Sequence, residues 1–254
     1  IGASINQQDS QRPYLINDDK KIALLNYVTH DTNPNVPIDA DVYLNYFDLD
    51  RSCEEIRTLK KESRLVFVIF HWGGGSEGRY FPDWDQPKIA RKLIDSGADF
   101  IVGHHSHTLQ PYEIYKDKFI FYSLGNFCFD DIIFEGKTIE IKKPSGTESA
   151  ILNVIIDNNS EINIELLPIN KNPNLELYID KNILKKFKRR QILFKLIFSN
   201  KLFWTLYFFL SKTFSPIFRY FFGNKSSFFT QLTKINLGKI KTYILYMYKS
   251  FFKS

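Results

Sequence analysis

The sequence predicts an α/β sandwich with a mixed sheet, followed by a basic, aromatic-rich helical tail. In the first 100 residues, short apolar runs alternate with amphipathic helical patterns, which is the order of parallel βαβ units. Beyond residue 110, several segments alternate apolar and polar residues between turn residues, as antiparallel strands do. The segment NKNPN at 170–174 predicts the boundary, so that residues 1–170 form the α/β domain and residues 171–254 form the tail.

The first half of the chain predicts alternating strands and helices. Its apolar runs have the length and the β-branched composition of buried strands. One helix has acidic residues early and basic residues late, which complements the helix dipole, and the next begins near a Pro and ends at Gly97. In chain order, we expect a strand at 21–29, a helix at 48–63, a strand at 64–72, a helix at 85–97 and a strand at 98–103.

The second half predicts a run of strands that we expect to be antiparallel. Polar turn residues separate them, and several show the period of two that is typical of strands with one face in a core. Together with the preceding βαβα pattern, they predict a mixed sheet. These strands are expected at 110–115, 118–129, 137–143, 149–157 and 161–169.

Three of the five histidines lie in the stretch GHHSH at 103–107. This stretch follows one predicted strand, and His71 ends another that the intervening helix should bring alongside in parallel. Since catalytic and binding groups gather at the carboxyl ends of such strands, these histidines should converge. In an extended segment, His105 and His107 would share one side and His104 the other. His71, His105 and His107 therefore predict a site for a borderline divalent ion such as Zn, Mn or Fe.

Other kinds of site are poorly supported by the sequence. The two cysteines, Cys53 and Cys128, lack the spacing of a metal finger or of a disulfide framework. The GGG at 73–75 lacks the spacing and the Lys of a phosphate-binding loop. His30 stands alone in VTHDTN and is more typical of a hydrogen-bonded residue than of a ligand.

Several separate motifs occur in a fixed order along the chain. They are HWG (71–73), GAD (97–99), GHHSH (103–107), QP (110–111) and YSLGNF (122–127). In this order they resemble the bacterial capsule synthesis proteins of the CapA type, which are associated with poly-γ-glutamate. The resemblance covers about residues 2–131 and implies the fold of calcineurin-like metallophosphatases.

The resemblance implies roles for individual residues. His71, His105 and His107 match metal-ligand histidines, and His104 matches a residue that meets a substrate phosphate or donates a proton. Three more residues are expected near the site, where they would contact the substrate or orient other site residues. Glu77 lies two positions later than the glutamate of HWGxE. Helix-capping or turn hydrogen bonds explain the other two, which belong to YSLGNF, equally well. These three are Glu77, Ser123 and Asn126.

The resemblance also implies acidic and amide ligands that precede this region in the family. They belong to an Asp-containing strand end, an N-L-E segment and an N-N-H segment, none of which precedes Ile1. We therefore expect the chain to hold the histidine part of the site without the family's N-terminal half. It would act as a metal-dependent phosphoester hydrolase if the remaining ligands are supplied. The alternative is a non-catalytic assembly or scaffold component of an envelope-polymer apparatus, or an inactive fragment.

Within the tail, residues 181–254 hold 16 Lys and Arg and no Asp or Glu, whereas residues 1–180 hold 18 basic and all 28 acidic residues. Its most apolar stretch, 192–210, is interrupted by polar residues and falls short of a membrane span. We expect the tail to lie on an anionic membrane surface, with the basic run 185–190 favouring the cytoplasmic side. Binding to single-stranded nucleic acid is less favoured because no nucleic-acid motif accompanies the basic residues. Aromatic helices that pack on the main domain are the third interpretation.

The expected partners follow from these predictions. They are a phosphorylated or polymer-linked substrate, other envelope-polymer biosynthesis proteins, and the membrane surface through residues 181–254. The expected location is the periphery of the bacterial cell membrane.

Overall fold

The computed structural model describes residues 2–16, 21–34, 36, 39–127, 132–134, 137–139, 148–172 and 176–213. The chain divides into two compact units, Ile1–Phe187 and Lys188–Ser254. The strands are β1 (Ala3–Ser4), β2 (Tyr14–Ile16), β3 (Ile22–Val28), β4 (Tyr43–Leu44), β5 (Leu65–His71), β6 (Phe100–His104), β7 (Tyr112–Tyr115), β8 (Lys118–Phe121), β9 (Ile132–Phe134), β10 (Lys137–Ile139), β11 (Ser149–Ile156), β12 (Ile162–Lys171) and β13 (Leu177–Ile179). The helices are α1 (Gln7–Gln11), α2 (Leu49–Glu62), α3 (Gln86–Asp95), α4 (Asn182–Ile197) and α5 (Lys201–Thr213).

A six-stranded mixed sheet in the order β2-β3-β5-β6-β8-β7 forms the centre of the first unit. The four inner strands are mutually parallel, and the edge strands β2 and β7 pair antiparallel with their neighbours. The inner strands are apolar along most of their length because they supply much of the buried core, with Ala23, Val66 and Ile101 fully buried. The mixed α/β architecture expected from the sequence is thus confirmed.

The two predicted helices of this unit form where their sequence signals lie. Helix α2 begins after Asp48, whose side chain accepts a hydrogen bond from the backbone N–H of Arg51, and it packs against α3 and β5. Helix α3 has a Pro in its first turn and is followed by Gly97 at a φ of 115°. These helices supply the right-handed connections that keep the successive strands parallel.

The strands of the second half pair antiparallel with one another, as expected, but β8 also joins the parallel strands of the first half. This strand pairs parallel with β6, with Phe100 opposite Phe119, and antiparallel with β7. The turn between β7 and β8 has positive φ at both central residues, Lys116 and Asp117, as in a type I′ hairpin. The hairpin therefore brings β8 back in the direction of β6, and alternation of side chains in a sequence cannot distinguish a parallel from an antiparallel neighbour.

A three-stranded antiparallel sheet, β11-β12-β13, completes the first unit. An apolar cluster joins it to the segment that follows the histidines and to the start of α4. Its members are Leu109, Ala150, Ile183 and Phe187, with Tyr112 and Leu166 packed against them. The division between the two units falls after Phe187, and the domain boundary near residue 170 stays a prediction.

Candidate metal-binding site

Three parallel strands end at one edge of the sheet. Val28, at the end of β3, lies opposite His71 of β5, and His71 lies opposite His104 of β6. The register therefore places two histidines side by side at the carboxyl edge, where α/β sheets bind their ligands.

The segment after β6 is not extended, contrary to the expectation from the sequence. His105 and His107 have φ angles of 99° and 58°, in the left-handed region that side-chain-bearing residues seldom adopt. Ser106 between them is buried, and its carbonyl accepts a hydrogen bond from the backbone N–H of Gly78. Strain of this kind costs about 1–3 kcal/mol per residue and concentrates at functional sites.

This turn brings three histidine rings close together. The Nδ1 atom of His105 lies 3.0 Å from the Nε2 atom of His71, and the two ring centroids are 4.8 Å apart. The ring centroid of His107 lies 5.9 Å from that of His105. We call His71, His105 and His107 the histidine cluster. Its convergence agrees with the sequence prediction, although a turn and not a strand produces it.

Asn126 holds the ring of His107. Its Oδ1 atom lies 2.7 Å from Nδ1 of His107, and because an amide oxygen only accepts, the ring nitrogen donates. The Nε2 atom of His107 is then the ring nitrogen that carries the lone pair, as in histidines that bind metals through one nitrogen and are oriented through the other. Ser123 supports the turn below, with its Oγ accepting from the backbone N–H of Gly125 and its carbonyl accepting from that of Gln110.

Two carboxylates that no sequence motif marked lie at the glycine turn that follows His71. Asp31 accepts a hydrogen bond from the backbone N–H of Gly74 at 2.8 Å, and the hydroxyl of Thr32 donates to the carbonyl of His71 at 3.1 Å. The loop after β3 is thereby fixed beside β5. Asp83 approaches the same glycine turn, where backbone N–H groups of Gly75 and Ser76 bond to it. The signal available for Asp31 was its position directly after a predicted strand.

Burial keeps the histidines at this edge in their neutral form. Burial lowers the pKa of His71 and of His105. The imidazole of His107 lowers the pKa of His71 further, and those of His71 and His107 lower the pKa of His105 further. The negative charge of Asp31 opposes both shifts, and that of Glu77 opposes the shift in the pKa of His105, which places Glu77 within electrostatic reach of the cluster. Burial also lowers the pKa of His104, and His71 adds to this. Neutral imidazoles carry the lone pairs that metal ions require.

These shifts predict a loss of stability at mildly acidic pH. A histidine with a lowered pKa in the folded state binds fewer protons than in the unfolded state, so the free energy of unfolding falls as pH drops below the unfolded value of 6.5. Asp83 acts in the opposite sense, because burial raises its pKa to about 6. In an Asp83→Asn background, with a chelator present, we expect a lower urea midpoint at about pH 5.5 than at about pH 7.5.

The matched control removes the titrating groups. A His71→Gln, His104→Gln, His105→Gln variant in the same background should show a smaller change in midpoint between the two pH values. An equal change in both proteins would contradict the assignment of the pH dependence to these three histidines.

Imidazole nitrogens and carboxylate oxygens suit a divalent cation. In their arrangement, one pair of ring nitrogens, from His71 and His105, lies close together. Two nitrogen ligands of a tetrahedral zinc ion lie about 3.3 Å apart, which is near the 3.0 Å between His71 and His105. In the part of the chain that the structure describes, no three His, Cys, Asp or Glu side chains are placed to hold a metal ion together. The three-histidine metal site therefore stays a prediction, and it needs His107 or a carboxylate to approach the pair.

Comparison with known families finds a match over the first half of the chain. The model of the family described as "Bacterial capsule synthesis protein PGA_cap" matches residues 1–131. These residues include all the histidines and the YSLGNF turn.

Curated relatives match over shorter segments. The chain is 49% identical over 75 residues to the "PGA biosynthesis protein CapA" of Bacillus subtilis, covering 30% of this chain and 19% of that protein. It is 37% identical over 111 residues to the "Capsule biosynthesis protein CapA" of Bacillus anthracis, covering 44% of this chain and 24% of that protein. It is also 37% identical over 71 residues to a "Probable polyglutamine synthesis accessory protein" of Mycobacterium tuberculosis, covering 28% and 18%. The chain thus spans less than a quarter of the length of these relatives.

Among solved structures, the chain is similar to a putative 5'-nucleotidase from Staphylococcus aureus in complex with alpha-ketoglutarate. The identity is 12%, the TM-score is 0.39, and the similarity covers 76% of this chain and 33% of the other. A likeness of this size supports no conclusion about activity.

Proposed function

Because this chain belongs to the bacterial capsule synthesis protein family PGA_cap, we propose that it serves the synthesis of a capsule polymer of the poly-γ-glutamate type through metal-dependent phosphoester hydrolysis at the histidine cluster. The observation that carries the proposal is the 3.0 Å approach of His105 to His71 at the carboxyl edge of the sheet. The names of the Bacillus relatives support the proposed role in capsule synthesis, and the chemistry of the imidazoles supports the proposed metal binding.

Each residue of the site has a distinct task in this proposal. His71, His105 and His107 would hold a divalent metal, which when bound would supply an activated water and offset the negative charge of the phosphoester. Asn126 fixes the ring of His107 so that Nε2 faces the ligand. His104, at the end of the neighbouring strand, gives a proton to the leaving oxygen. Glu77 adds negative charge beside His105.

A second function is favoured by one observation. In the described residues no group of three metal-binding side chains is assembled, which fits a non-catalytic component that assembles the polymer apparatus with its histidines vestigial. In this alternative, the surface around the histidine cluster contacts other biosynthesis proteins, and no hydrolysis occurs.

The location follows from the family as well. The curated relatives are named as capsule synthesis proteins, and a capsule belongs to the cell envelope. We place this chain at the periphery of the bacterial membrane. The cytoplasmic side stays a prediction from the basic run at 185–190.

Elemental analysis of the purified chain, with p-nitrophenyl phosphate and bis(p-nitrophenyl) phosphate hydrolysis measured in parallel, tests the proposal. We expect at least one tightly bound Zn, Mn or Fe ion per chain. In a His105→Ala, His107→Ala variant, we expect the bound metal to be lost and hydrolysis to fall by about 100-fold or more, because ligand losses exceed the 10–100-fold typical of their supporting residues.

His30→Ala is the matched control. His30 is exposed and stacks on Tyr46 at 3.9 Å between ring centroids, outside the histidine cluster, so this variant should retain its metal and its activity. Bound metal without hydrolysis of either substrate would favour the assembly component. A wild-type chain that binds no metal would overturn the proposed enzyme.

A further inference from the structure

Helix α4 exposes one continuous face in the second unit. Lys188, Arg189, Ile192, Lys195 and Leu196 recur at intervals of three and four residues, and all five are exposed. Ile192 is 72% exposed and Leu196 is 55% exposed, which is unusual for aliphatic side chains on a helix whose other face is buried. We call these five residues the cationic face.

Helix α5 also exposes apolar side chains to solvent. Leu202 and Leu206 lie one turn apart and are 54% and 46% exposed, and Phe203 is 45% exposed. No acidic residue occurs between residues 181 and 254, so nothing in either helix neutralises the cations. Exposed aliphatic side chains flanked by Lys and Arg are the pattern of helices that lie in a membrane interface.

The type of exposed side chain distinguishes binding to lipid from binding to single-stranded nucleic acid. Binding of single strands depends on exposed aromatic rings on which bases stack. Here Phe194 and Tyr207 are buried, while the most exposed apolar residues, such as Ile192 and Leu196, are aliphatic. Aliphatic groups can enter the acyl boundary of a bilayer but cannot stack on bases.

We propose that the cationic face of α4, together with the exposed apolar residues of α5, docks on an anionic lipid bilayer. The Lys and Arg stems extend along the apolar surface while their charged ends reach the phosphate headgroups. Ile192 and Leu196 enter the headgroup boundary between them. In the described part of the chain, no helix is long and apolar enough to cross a membrane, so this docking is to the surface.

Co-sedimentation with vesicles tests the proposal on the full chain. Vesicles of phosphatidylcholine with about 30% phosphatidylglycerol should bind the chain, and pure phosphatidylcholine vesicles should bind it at least about tenfold more weakly. A Lys188→Gln, Arg189→Gln, Lys195→Gln variant should bind anionic vesicles about 100-fold more weakly, at roughly a factor of five per lost cation. An Ile192→Ser, Leu196→Ser variant should lose about tenfold or more.

An Ile114→Ser, Ile155→Ser variant is the matched control. It removes two aliphatic side chains of the first unit that are 55% and 42% exposed, and it should bind vesicles as the wild type does. Equal binding to neutral and anionic vesicles, equal loss in the control variant, or tighter binding to single-stranded DNA than to anionic vesicles would each overturn the proposal. None of these readouts involves the histidine cluster, so failure here leaves the proposed function standing.

Discussion

Replacing Gly103 with alanine is expected to lower the free energy of unfolding by about 3–5 kcal/mol. A Cβ at this position would collide with Nε1 of Trp72 and with the carbonyl oxygen of Tyr122. These two atoms are joined by a buried hydrogen bond of 3.1 Å, which the added methyl group would have to break. The loss of stability from overpacking then adds to the loss from the unsatisfied indole N–H of Trp72.

The substitution should disturb the histidine cluster as well. Gly103 precedes His104, Trp72 follows His71, and Tyr122 begins the YSLGNF turn that carries Asn126. All the connections of the cluster to the sheet therefore pass close to Gly103. Weakened metal binding should accompany the lower stability.

Urea unfolding followed by tryptophan fluorescence measures the first effect. Gly75→Ala is the comparison variant, because the three atoms nearest to its added methyl belong to the carboxyl group of Asp83, with Oδ1 at 2.8 Å, and not to the backbone or to an indole ring. Moving this carboxylate would weaken its hydrogen bonds from the backbone of Gly75 and Ser76, so we expect a loss of about 1–2 kcal/mol, smaller than that of Gly103→Ala. Similar losses in the two variants would show that the contact at Gly103 is not the cause.

The second large effect is expected from Lys186→Met, at about 3 kcal/mol of lost stability. Lys186 pairs with Glu148, whose side chain is only 3% exposed, so the change removes a cation that balances a buried carboxylate. Glu148 lies beside the YSLGNF turn, where its carbonyl oxygen limits the space at Gly125. This ion pair thus fastens the start of α4 to the turn that carries Asn126.

A double-mutant cycle with Glu148→Gln isolates the pair. The double variant should be more stable than Lys186→Met alone, because it also removes the buried negative charge that Lys186 balances. Lys185→Met is the matched control: Lys185 is the neighbouring exposed cation of the same helix, and its removal should change the free energy of unfolding by less than about 0.5 kcal/mol. Additive effects in the cycle would exclude a coupling between Lys186 and Glu148.

Local sequence signals were sufficient to predict the strands and helices around the site. The run RLVFVIFHW forms β5, and the pattern with Asp48 before an amphipathic stretch forms α2, because burial of apolar faces and helix capping are decided by residues close together in the chain. The position of His71 at a strand end follows from the same pattern. The order of HWG, GHHSH and YSLGNF also indicated the family that the comparison confirmed.

Only the tertiary structure decided how these parts meet. The left-handed backbone at His105 and His107 brings the ring of His105 to His71 and the ring of His107 to 5.9 Å from that of His105, and no propensity of histidine predicts it. Asp31 reaches the glycine turn because its loop is bonded to the neighbouring strand through Thr32 and His71, which are 39 residues apart in sequence. The charge and the aromatic content of residues 188–213 follow from the sequence alone, but packing decides that Phe194 and Tyr207 are buried while Ile192 and Leu196 are exposed. Side chains separated in sequence acquire such positions only when strand register and helix packing bring their backbones together.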